Sequence, residues 1–388
     1  MLPNVVINLE NGQLGSIVQY AEGVAGIMGT GTAVSGKIGL NDPRLVTKLA
    51  DAVALGLDAT NNPVAYRHIS EFYAEAGDGA ELYVMLVANT MDQTEMWDET
   101  NASGVIQLRN YAAGKIRIMC TFFTPPGGYS LVTTAGLDAD VFTAIPNAQA
   151  LAVASASAQT PFRAVIEGRA FTGTYSALTD LTTMTNNRVA VVIGGSANDG
   201  SSGVGQALGR LAAIPVQRKL SRIKDGPLKP TQMYVGSALV DSFSGLDVMH
   251  DKGYIVPRTF PNVTGYFWGS DHTATADTDD YSSLARGRVI DKASALAYAT
   301  YVVQLDDDID INTDGTLPMG VIKYLESIIE QQINGSMTAA QEISSVSAYI
   351  NPAQNTLSSN KLNLTLSIVP KGYNTEIDVD LGFDNPSA

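Results

Sequence analysis

The sequence predicts a mixed α/β protein: two domains, with a largely parallel sheet in the first and a mixed sheet in the second. Three observations predict it. Short apolar runs of strand length alternate with segments that carry helix-start signals. Capping residues stand directly before proline at Asp42-Pro43 and Asn62-Pro63, the arrangement that opens a helix. Strict period-two alternation near both ends of the chain predicts extended strands. A length of 388 residues, against about 100–200 per domain, gives room for more than one domain.

The elements follow in order. Val5, Ile7 and Leu9 alternate with Val6 and Asn8 and predict a strand with one apolar face over Asn4–Glu10, standing alone before Asn11-Gly12. Such a strand cannot satisfy its own backbone. Gly23–Gly31 reads as a short buried strand running into a glycine-rich turn. A helix is expected from Asp42 through Leu45, Leu49 and Val53, and a second from Asn62 to Gly77. Glu81–Ala88 is a strand, Thr94 caps a helix to Gly114, and Lys115–Phe122, Gln149–Ser155 and Arg188–Gly194 are further strands. Strands alternating with helices imply a parallel sheet covered on its faces.

Pro215, Pro227 and Pro230 punctuate a boundary at about 215–230, which also holds the basic cluster Arg218, Lys219, Arg222, Lys224 and Lys229. That cluster fits a solvated helix end and linker, or a patch that meets an acidic partner or a neighbouring subunit. Beyond it, Val263–Gly269 is an aromatic strand, followed by a polar loop and a long helix over about 282–305. A second helix runs from Pro318 to Ile333 with the apolar stripe Val321, Leu325, Ile328 and Ile329; Lys323, Glu326 and Glu330 lie off the stripe, and Gly335 fits its end. Leu362, Leu364, Leu366 and Ile368 alternate as one strand. Ile377, Val379, Leu381 and Phe383 alternate with Glu376, Asp378 and Asp380 as another. The domain division expected is an arm over 1–12, an α/β part over 13–228 whose outer portion is about 60–215, a second domain over 229–372 and an arm over 373–388.

Composition removes several function classes. The net charge is −15, so the surface repels nucleic acid and anionic lipid, and neither is expected as a direct partner. No apolar run reaches the ~18 residues of a membrane span. Met1-Leu2-Pro3-Asn4 starts no signal-peptide pattern. The single cysteine, Cys120, lies in an apolar run and reads as an inert buried thiol.

Candidate chemical sites are weak. Gly194 to Gly209 follows a strand and could cradle a phosphate, but Gly203-x-Gly205-x-x-x-Gly209 misses the dinucleotide spacing and no Gly-Lys-Ser/Thr is present. Asp310, Asn312, Asp314 and Gly315 match the first half of a calcium loop, yet Val321 stands where the bidentate glutamate belongs. His68, His250 and His272 are not at ligand spacing, and His68 reads as a packing residue within a helix. No catalytic, metal or cofactor site is expected.

Read together, several stretches resemble the contractile tail sheath family of bacteriophages and related injection systems. They are Thr264–Gly269, Ala285–Lys292, the second helix with the strand Lys361–Val369, and Pro370–Phe383; at the front, Gly23–Gly31 is similar to the family's early glycine strand. The resemblance implies a non-enzymatic two-domain sheath subunit with extended terminal strands. It implies a helical homopolymer of ring-like layers around an inner tail tube, contacting baseplate and tail-terminator proteins. Its place would be a virion tail or injection particle assembled in the bacterial cytoplasm. Val5, Ile7 and Leu9 would form one inter-subunit strand, and Ile377, Val379, Leu381 and Phe383 the other, by adding to sheets of neighbouring copies. Lys323, Glu326 and Glu330 would face the tube. The alternatives are a nucleotide-binding α/β enzyme using the Gly194–Gly209 loop, or a non-contractile virion protein.

Overall fold

The computed structural model describes residues 21–383. The expected strand over Asn4–Glu10 lies outside them. The first half contains β1 (Ala25–Thr30), β2 (Arg44–Val46), α1 (Leu49–Ala54), α2 (Pro63–Ala76), β3 (Leu82–Val87), α3 (Gln93–Trp97), α4 (Val105–Tyr111), β4 (Ile118–Phe122), α5 (Ala139–Ser157), β5 (Arg163–Glu167), β6 (Val189–Val192) and α6 (Val204–Ala213). The second half contains β7 (Pro257–Phe260), β8 (Val263–Trp268), α7 (Leu284–Tyr301), α8 (Met319–Ile333), β9 (Ile343–Ile350) and β10 (Leu364–Pro370).

Six strands make one sheet in the order β2-β3-β1-β4-β5-β6. All neighbours pair in parallel except β2, which runs antiparallel along β3. The central strands are buried on both faces, which is why they read as continuous apolar runs and not as alternations. The expected mixed α/β class with a parallel-rich sheet is therefore what the chain adopts.

Several expected elements differ. The helix expected from Asp42 is an edge strand followed by a short helix. Asp42 accepts from Arg44 Nη2 at 2.7 Å instead of capping, and the helix starts only at Leu49. The Thr94–Gly114 helix is broken in two. Asp98 accepts from the Thr100 amide at 2.8 Å, a local turn that competes with the helix ladder. Gln149–Ser155 belongs to α5: Ala148, Leu151, Ala152 and Ser155 are buried at helical spacing, and a short apolar run does not by itself separate strand from helix. β5 and β9 were not anticipated. Past Ile333 the chain continues in a π-turn over Asn334–Thr338 and does not stop at Gly335.

One large core runs from Val24 to Leu284 and takes in Tyr254, Val256, Tyr266 and Trp268. A second joins Val289, Ala293 and Leu296 of α7 to Ile329 and Ile333 of α8 and to Ile343 of β9. The antiparallel β9–β10 hairpin covers this second core with Val346, Ala348, Leu364, Leu366 and Ile368.

Candidate functional site

Charged residues of α7 tie the two cores together. Asp291 accepts from Arg163 of β5 at 2.7 Å and 3.0 Å, and from Arg188 at 3.0 Å. Arg163 is buried; it also donates to the carbonyls of Gly287 at 2.8 Å and Asn187 at 2.9 Å. Gly287 has no side chain because the Arg163 guanidinium fills that place. Arg288 donates to the Ile214 carbonyl at 3.0 Å. Lys292 holds Glu342, just before β9, at 2.8 Å, and pairs with Glu22. Burial raises the Glu342 carboxyl to about 7, with Lys292 opposing the rise. The Ala285–Lys292 stretch, noticed in the sequence only for its resemblance to the sheath family, is thus a set of buried ties. Its partners Arg163 and Glu342 were missed. A charged residue entering the apolar run Ala164–Ile166 was the one signal available for the first.

The β9–β10 hairpin and the segment after it form the second feature. After β10, Tyr373 is pinned: its hydroxyl donates to the Gln217 carbonyl at 2.6 Å, and Lys219 Nζ lies 5.1 Å from its ring centre. Beyond it the chain adopts no ladder over 374–383. Ile377, Val379, Leu381 and Phe383 are between 74 and 107% exposed. The alternation expected there is present in sequence, but within the subunit those residues pair with no strand among the described residues. Val5, Ile7 and Leu9 lie outside the described residues.

On α8, Lys323 is exposed, as are Met319, Tyr324 and Gln331. Glu326 is buried. Its Oε1 accepts from the Ile350 amide at 2.8 Å and its Oε2 from Lys323 at 2.6 Å. Glu330 accepts from the Ala348 amide at 2.7 Å. Both carboxylates are therefore engaged inside the subunit.

The remaining candidates have structural roles. The amide of Ser202, just before α6, donates to Glu167 Oε1 at 3.0 Å, and Phe123 donates to Oε2 at 2.9 Å. A carboxylate of the chain itself thus occupies the place where a phosphate would meet that helix end; burial pushes it up to about 7. Gly205 and Gly209 sit against the backbone of His68 and Phe72 on α2, where a side chain would collide. The glycines serve a close helix crossing. Asp314 accepts from the Thr316 amide at 3.0 Å, closing the acidic turn on itself; among the described residues no group of three or more potential ligands is placed to hold a metal. Cys120 is buried and its thiol raised by that burial. In the basic cluster, Arg218 and Arg222 pair with Asp225, and Lys219 with Asp271 at 3.6 Å. Among the described residues no helix is long and apolar enough to cross a membrane.

This architecture, a covered parallel sheet followed by two helices under a hairpin and a projecting C-terminal segment, is the fold of contractile sheath subunits. The helical sheath of the anti-feeding prophage in its contracted state matches with a TM-score of 0.64 at 13% identity, covering 99% of both chains. The sheath complex of the extracellular contractile injection system PVC, also contracted, matches at 0.61 and 11% identity, over 98% of this chain and 97% of that one. The sheath tail protein of Desulfitobacterium hafniense matches at 0.51 and 12% identity, over 95% and 100%. No curated protein matches the chain. The chain belongs to the DUF2586 family: the model of its N-terminal domain matches residues 2–272, and that of its C-terminal domain residues 280–388.

Proposed function

We propose that this protein is the structural subunit of a contractile sheath, polymerising helically around an inner tube and shortening to drive that tube through a target envelope. One observation carries the reading. The fold matches sheath subunits end to end, and it leaves an alternating, apolar C-terminal segment exposed after a two-stranded hairpin. A row of exposed apolar side chains on an extended segment is what strand addition to another copy buries. Contacts of this kind, made head to tail, build a helix and not a closed ring stack of fixed length. The work comes from a metastable assembled state, without hydrolysis.

The partners are other copies of the chain, an inner tube protein, and baseplate and terminator proteins at the ends, in a phage tail or phage-tail-like particle assembled in the bacterial cytoplasm. Val5, Ile7 and Leu9 would supply a second exchanged strand. Of the tube-facing candidates, Lys323 is exposed while paired with Glu326; Glu326 and Glu330 are used within the subunit. The continuity of the first core through Leu284 supports a domain division near residue 280, later than 228. Deleting residues 375–388 should leave a cooperatively folded subunit, by circular dichroism and thermal melting, that no longer sediments as polymer. Undiminished polymer from that variant, and from one lacking residues 1–12, would rule out strand exchange.

A further inference from the structure

α6 crosses α2 closely, because Gly205 and Gly209 leave no side chain against the backbone of His68 and Phe72. The crossing brings Glu71 and Glu75 of α2 beside Gln206 of α6. With Ala74, Lys229 and Pro230 they line a cavity of about 240 Å³. A single water takes ~30 Å³, so the space is made for something larger.

The carboxylates around it are unequally served. Glu75 accepts from the Lys229 amide at 2.9 Å and from Gln206 Nε2 at 3.3 Å, and pairs with Arg210 at 2.9 Å. Asp199 pairs with Arg67 at 2.5 Å. Glu71 takes only the Ser196 hydroxyl, on its Oε1. The basic group within ion-pair distance of it is His68, at 3.8 Å, and burial lowers the pKa of that ring to about 3, so it is uncharged near neutral pH. Burial raises the Glu71 carboxyl, against the Ser196 hydrogen bond and the Arg67 charge. Glu71 Oε2 and Gln206 Oε1 are buried, and among the described residues neither has a hydrogen-bond partner. Gln206 is only 1% exposed. Two buried acceptors without donors are costly to a fold.

The geometry points to a primary ammonium as the group this cavity takes, either free or at the tip of a lysine side chain from a second copy. Its N–H donors answer both orphaned oxygens, and its single charge balances Glu71. A divalent metal is poorly served: among the described residues no group of three or more potential ligands is placed to hold one. A guanidinium fits less well, because Ser196 already occupies Oε1 and leaves no two-pronged carboxylate face. Ala74 and Pro230 offer an apolar wall to an alkyl stem. No lysine or arginine lies outside the described residues; of the lysines within them, Lys229 alone lines the cavity, and it is exposed. The site is complete within one subunit, so the assignment does not rest on the sheath reading.

Thermal melting of the unassembled full-length protein tests the chemistry. Butylammonium chloride is compared with tetramethylammonium chloride, which has the charge but no N–H, at equal ionic strength. A melting temperature that climbs and saturates only with butylammonium is expected. Glu71→Gln keeps an acceptor for Ser196; its half-saturating concentration should rise about tenfold or more, as the loss of one charge-assisted hydrogen bond implies. Gln206→Met should shift it in the same direction. Equal curves for the two ions would overturn the assignment, and are the result if Glu71 stays protonated and donates to Gln206 itself. Unchanged affinity in both variants would also overturn it, by placing the amine elsewhere. Zero-length carbodiimide coupling of protein assembled from isotope-labelled and unlabelled chains separates the two sources. An amide between Glu71 and a lysine of the other isotope assigns the ammonium to a second copy. A butylammonium response without that amide assigns a free amine. An amide to Lys229 of the same chain would show the cavity filled from within and overturn the proposal.

Discussion

His68 lies on the buried face of α2, its ring centre 4.7 Å from that of Phe122. Burial above all, and then the Arg67 charge, lowers its pKa from the ordinary 6.5 to about 3. The unfolded chain thus binds a proton that the folded chain refuses between those values, and stability falls as pH falls through that window. By pH 5 the loss from this one ring is about 2 kcal/mol. Glu71 beside it is shifted upward by burial and works in the opposite direction, so the comparison must be differential. His68→Leu should flatten the fall in melting temperature between pH 6.5 and 4.5 relative to the parent chain. Parallel curves would contradict it. At this scale the sequence was informative about His68 and Cys120, because a lone polar residue inside an apolar pattern reads as packing. At Gly203, Gly205 and Gly209 it showed only that the spacing misses the dinucleotide pattern, without saying what the glycines are for. The reason for Gly205 and Gly209, a close crossing of α6 on α2, is a contact between segments far apart in the chain, and no local pattern encodes it.

At the scale of elements, α7 joins the sheet to the hairpin domain through charge. Asp291 pairs with two arginines, one of them buried. Removing one partner of such a set leaves a charge without compensation, at a cost of about 3–5 kcal/mol. Asp291→Ala should lower the denaturant midpoint accordingly. The simultaneous change of Arg163 to Met should recover part of that loss; a single change costing less than about 1 kcal/mol would mean the triad is not a tie. Helices and strands with strong local signals, α2, β3, β8 and α8, were legible because cap, period and length agreed. β2, α3 and α5 were not. In each, a tertiary pairing or a side-chain turn overrode the local pattern. β9 was missed because its residues Ser344, Ser345 and Ser347 give a weak β signal; its place is fixed from outside, by β10 and by Glu326 and Glu330.

For the whole molecule, the candidate site was legible in one half. The alternation of Ile377, Val379, Leu381 and Phe383 was legible in the sequence, and the fold leaves those side chains exposed. The register of the hairpin and the reach of α8 to it are not written in any single stretch. On the strand-exchange reading, the exposed segment after β10 is the donor half of a propagating contact. The most direct test is electron microscopy of the purified full-length protein. Helical tubes or stacked rings, lost when residues 375–388 are removed, are the predicted result. A protein that stays monomeric at high concentration and in the presence of its tube would contradict the account.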